Sequence, residues 1–144
     1  MDWRQRLPVL AAALWWGGLT AIGFIADPLL FASLPTAALA GQTAAKLFTA
    51  QTWVSLGCGG LLLLAARGRD ESARMDWARG SLGFVLAGLL CALLGEFAVA
   101  PRIVARQDLA VWHTAGSALY GLQWVCALVV LWRVGRPVSP GGPS

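Results

Sequence analysis

Residues 47–66 read LFTAQTWVSLGCGGLLLLAA, twenty consecutive positions without a charged side chain. An α-helix rises about 1.5 Å per residue, so such a run covers a hydrocarbon core about 30 Å thick. Lipid offers backbone amides no partner, so the run must satisfy its own hydrogen bonds as a helix. Polar and apolar residues do not alternate along it, as they would in a barrel strand. The stretch is a membrane-spanning helix, and three others resemble it. Leu7–Ala26 is uncharged, Gly80–Pro101 contains only Glu96, and Leu109–Trp132 contains only His113.

The whole chain agrees with this reading. It has 144 residues, 58% hydrophobic and 12% charged, with mean hydropathy +0.66. A soluble domain carries about 25% charged residues, and half that supply cannot cover a surface in water. The expected fold is all-α: an integral membrane four-helix bundle formed by residues 1–135, with helices over about 7–34, 42–66, 80–100 and 109–133. The tail RPVSPGGPS, residues 136–144, is rich in Pro, Gly and Ser and is expected to be disordered. The loop RGRDESARMDWAR, residues 67–79, interleaves its charges and reads as a solvated hairpin. No repeat of 20–50 residues stands out, although the two helix pairs echo one another weakly through their polar turns.

Basic residues set an expected orientation. Arg4, Arg6, Arg67, Arg69, Arg74, Arg79, Arg133 and Arg136 fall on one side, and only Lys46, Arg102 and Arg106 on the other. Basic residues favour the cytoplasmic flank, so both termini are expected inside, in an inner (plasma) membrane. The net charge of +4 then reflects helix ends beside headgroups, and no nucleic-acid partner is implied. A cleavable secretory signal is the weaker alternative for the N-terminus, because the first apolar run exceeds the usual core of about 7–15 residues. Trp3, Trp77 and Trp132 fall at the inner boundary and Trp112 at the outer one, as an aromatic belt requires. Trp16, Trp53 and Trp124 lie deeper, where Thr20, Gln51 and Gln123 are candidate acceptors for their N–H groups. Glycines in every span favour close helix packing.

The stretch GEFAVAPRIVARQDLAVWH, residues 95–113, holds the residues that apolar packing does not explain. Glu96 stands sixteen residues beyond Gly80, or roughly 24 Å up the membrane, and His113 lies roughly 6 Å below the opposite boundary. Both therefore reach one level near the outer face. Asp27, Lys46 and Arg102 belong to the same end, with Gln42 one turn before Lys46. Ionisable groups inside a membrane are costly unless paired or wetted, and they commonly mark ion or proton paths. The expected site is a polar cluster of Glu96, His113, Asp27, Lys46, Arg102 and Gln42 that binds a small solute, ion or proton, with Glu96 and His113 as its central pair. A structural scaffold for a membrane-protein partner is the alternative.

Soluble enzyme chemistry finds no pattern here. Neither a phosphate loop nor a Ser/His/Asp arrangement is present, and one histidine does not build the usual zinc site. The chain is expected to be non-enzymatic and without a cofactor. His113 as an axial haem ligand, or Cys58 with Cys126 as a soft-metal pair, are lesser alternatives. Beyond the bilayer, the expected associations are a small solute or ion and a second copy of the chain.

The segment GFIADPLLFASLPTAALAGQTAAKLF, residues 23–48, carries Leu30-Phe31, Leu34-Pro35, Gly41 and Lys46-Leu47-Phe48. It resembles the first signature of the transmembrane protein 205-like family, known in bacteria as domain of unknown function 4149. Ala100-Pro101-Arg102 followed by Trp112-His113 resembles that family's last two helices. The resemblance covers most of residues 8–132 and implies four membrane helices in a compact bundle. It implies no activity.

Overall fold

In the computed structural model, residues 3–67 and 76–136 are described, and all regular structure among them is helical. The first span comprises α1 (Trp3–Thr20), a π-helical turn (Ala21–Ala26) and α2 (Asp27–Ser33). The second is α3 (Ala37–Ala66). The third comprises α4 (Asp76–Leu94), a second π turn (Gly95–Val99) and α5 (Ala100–Val104), and the fourth is α6 (Leu109–Val134). Each is long and apolar enough to cross a membrane, over Arg6–Ser33, Ala37–Ala66, Gly80–Val104 and Leu109–Val134. The expected helix starting near 42 begins at Ala37, because the Thr36 hydroxyl accepts from Leu39 N and caps it there. The third span runs on past 100 to Val104, since Pro101 stands in the first turn of α5, where its missing N–H is tolerated. The expected disordered tail beyond Arg136 and most of the hairpin 67–79 lie outside the described residues.

Short connections dictate the arrangement. Residues 34–36 join the first two spans and 105–108 the last two, so each pair lies antiparallel. The first span packs on the second, the second on the third, the third on the fourth and the fourth back on the first. The bundle therefore has a terminal end, with Arg6, Arg67, Gly80 and Arg136, and a hairpin end bearing the two short turns.

From the middle of the bundle toward the terminal end the core is apolar apart from Ser81, which is fully buried. Trp15, Leu19, Leu62, Val85 and Val130 are fully buried there, with Ala12 and Ala127 between them. Gly88 makes room for the largest of these: a Cβ at that position would come within 2.8 Å of the Trp15 ring. Lipid draws no helices together by the hydrophobic effect, so close contact of this kind supplies the packing energy. Of the deeper tryptophans, Trp124 donates to Thr20 Oγ1 at 2.9 Å and its ring meets Trp16 at 5.6 Å. Trp53 instead points outward, 62% exposed.

The two π turns have a local cause. Proline lacks an N–H and its ring collides with the carbonyl four residues earlier, so a regular α-helix cannot run through Pro28 or Pro101 undisturbed. In both spans the preceding turn widens. Asp27 N–H bonds to Ile22 O and Ala100 N–H to Gly95 O, each reaching back five residues. Phe24 precedes Pro28 and Phe97 precedes Pro101 by the same four residues.

This likeness extends to the other two spans. Leu47-Phe48-x-x-Gln51 in the second matches Leu119-Tyr120-x-x-Gln123 in the fourth, at almost the same interval that separates the two prolines. Matching residues meet inside the bundle. The Phe48 and Tyr120 rings stand edge-on at 5.2 Å, and Gln51 and Gln123 both donate to Ser55 Oγ, at 3.4 and 2.9 Å. The two helix pairs thus share matched positions and enter the bundle in the same sense.

Candidate functional site

The polar residues of the hairpin half fall into two clusters and a deeper ladder. Glu96 lies within the second π turn and is half-buried. Its Oε1 accepts a hydrogen bond from Thr49 Oγ1 of the second span at 2.8 Å. The partner of this intramembrane acid is therefore a neutral hydroxyl.

Asp27 follows directly on the first π turn and is also half-buried. His113, in the first turns of the fourth span, lies within electrostatic reach of it. The structure gives Glu96 a partner in the second span, Thr49, and no hydrogen bond among the described residues joins it to His113, which is exposed and feels the charge of Asp27 in the first span.

Tyr120 links this level to the interior. Its hydroxyl donates to Leu19 O at 2.7 Å, and the Gly23 N–H points at the Tyr120 hydroxyl oxygen. The ring rests directly on Gly23, at a place where any Cβ would collide with it. A side chain has inserted beside a widened helical turn, a recognised cause of departures from the regular ladder. Below it lies the ladder of Gln51, Ser55 and Gln123, all buried, with Ser55 Oγ donating to Gln51 O at 2.9 Å. Buried amides in lipid need such partners, and here each finds one across the bundle or on its own helix.

The other expected site residues stand apart from these clusters. Arg102 is exposed, donates to Ala98 O of its own helix and stacks 4.5 Å from the Trp112 ring centre. Lys46 and Gln42 are exposed, one turn apart on the second span. No hydrogen bond among the described residues joins Lys46, Gln42 or Arg102 to Glu96 or His113. Sequence reasoning did not single out Thr49, Tyr120 and Ser55. The signal that could have found them is the pair of matched segments around Gln51 and Gln123. Among the described residues, no group of three or more His, Cys, Asp or Glu side chains is placed to hold a metal ion.

Four apolar helices closing into a bundle, with half-buried acids and hydroxyls between them, define a multi-pass membrane protein. Residues 10–112 match the family described as a domain of unknown function (DUF4149), and the chain belongs to that family. The matched range takes in Asp27, Thr49, Glu96 and Arg102 and stops one residue short of His113. No curated protein and no solved structure matches the chain.

Proposed function

We propose that this is a non-enzymatic inner-membrane protein, both termini cytoplasmic, whose hairpin half binds and passes a proton or small cation. The reading rests chiefly on one contact, the hydrogen bond from Thr49 to Glu96 inside the third span. An acid at this level that bonds a neutral hydroxyl is the kind of intramembrane group that commonly marks an ion or proton path. Asp27 and His113 add two further ionisable groups, on the first and fourth spans, within electrostatic reach of one another. The eight-to-three division of basic residues supports the orientation, with the hairpin end periplasmic.

Purified protein in vesicles containing a pH-sensitive dye tests the proposal. Wild-type protein is expected to dissipate an imposed pH gradient, and Glu96→Gln to reduce the rate at least tenfold. His113→Ala is expected to reduce it less, and Arg102→Gln to leave it unchanged. Equal rates for wild type and Glu96→Gln overturn the reading.

A second reading, a scaffold for a membrane partner or a second copy of the chain, is favoured by Trp53. This large aromatic lies in the body of a span yet is 62% exposed, beside Gly57, which has open space around it. Cross-linking from position 53 distinguishes it: a scaffold gives a defined adduct, and Glu96→Gln leaves that adduct intact.

A further inference from the structure

At the opposite end of the bundle, far from Glu96, the last turns of the fourth span form a shallow groove of about 480 Å³. Leu128 and Val129 form its floor toward the membrane interior, and Trp132, Arg133 and Arg136 surround its mouth. From residue 128 to 136 the helix climbs about 12 Å, which matches a headgroup and the upper part of an acyl chain. Trp132 is 68% exposed, an amphipathic ring at the depth where such rings meet the interface.

The two guanidiniums differ in how they are held. Arg133 donates to Gly80 O on the third span, and its charge lies 4.9 Å from the centre of the Phe84 ring. These contacts fix the side chain while using one of its five N–H donors. Arg136, one turn further along the same face, is exposed. No acid whose side chain is described pairs with either. One positioned cation and one exposed cation above an apolar trough complement a single molecule, one that carries a negative phosphodiester on a hydrocarbon tail.

We infer that this groove binds an anionic phospholipid, its phosphate between Arg133 and Arg136 and one acyl chain along Leu128 and Val129. Arginine binds phosphate oxygens through paired N–H groups, and basic pockets at the cytoplasmic ends of helices suit such headgroups. A zwitterionic lipid fits the trough equally well, but its choline or ethanolamine brings a cation toward two others. Selection by headgroup charge is therefore the signature of the site.

The test uses the full chain, stripped of lipid in detergent and examined by native mass spectrometry. Phosphatidylglycerol and phosphatidylcholine of identical chains are added in equal amounts. Wild-type protein is expected to keep phosphatidylglycerol at least fivefold over phosphatidylcholine. Arg136→Gln, which removes no internal contact, is expected to bring that ratio below two. Arg133→Gln should do the same, provided circular dichroism shows unchanged helix content. Arg102→Gln/Arg106→Gln, at the hairpin end, should leave the ratio as in wild type. Equal retention of both lipids by wild type overturns the inference, as does an unchanged ratio in Arg136→Gln. A second copy of the chain covering the groove also overturns it, and would appear as a disulfide-linked dimer through Trp132→Cys.

Discussion

Glu96 and Gly88 show how much in this protein is decided by single positions. Glu96 has its hydrogen bond because Thr49 faces it at 2.8 Å, and Thr49 can do so only because the spans lie close. Gly88 secures closeness of that kind. A methyl group there would come within 2.8 Å of the fully buried Trp15 ring, which has no free space to retreat into. Overpacking of this type costs about 1–3 kcal/mol. Gly88→Ala is therefore expected to lower the melting temperature in detergent measurably. Gly83→Ala, on the same span but with nothing within 4 Å, should leave it unchanged.

At the scale of elements, the two π turns determine where the outer acids point. A five-residue reach in place of four shifts everything beyond it by one residue, or about 100° around the helix axis. If proline imposes the wide turn, Pro101→Ala should let Gly95–Val99 tighten into an α-helix and turn Glu96 relative to the second span. Cysteines placed at 49 and 96 are expected to form a disulfide readily in the otherwise native chain and several-fold less in the Pro101→Ala background. The same turns explain what could be read in the sequence and what could not. The four spans were legible because twenty apolar residues in a row have one physical solution in lipid. The direction of Glu96 was not legible: counting at 3.6 residues per turn loses its phase at a widened turn, and the side chain meets Thr49 of the second span where matched height had suggested His113. Pro28 and Pro101, each four residues after a phenylalanine, were the visible marks of that lost phase.

For the whole molecule, the bundle closes as a ring in which each span touches its two neighbours, and its charge is lopsided. Four crossings place both termini on one side, which the proposed orientation makes the cytoplasm. Reporter fusions at either terminus are expected to report a cytoplasmic location. A reporter inserted between Arg106 and Asp108 should report the opposite side. Both residues adopt positive φ, 55° and 33°, so the insertion interrupts a turn and no regular helix. A terminal fusion reporting the periplasmic side would reverse the assignment of ends and, with it, the leaflet that faces Arg133 and Arg136.

The kinship of the two helix pairs has a consequence for how such a chain could have arisen. Two hairpins entering the membrane with the same sense already offer complementary flanks, because each covers in its twin the seam that its own helices leave open. An ancestor half this size could have worked as a pair of identical subunits. Fusion would free such copies to diverge, and the present chain has an acid at Glu96 at the position that corresponds to Gly23, which lies beneath a tyrosine ring.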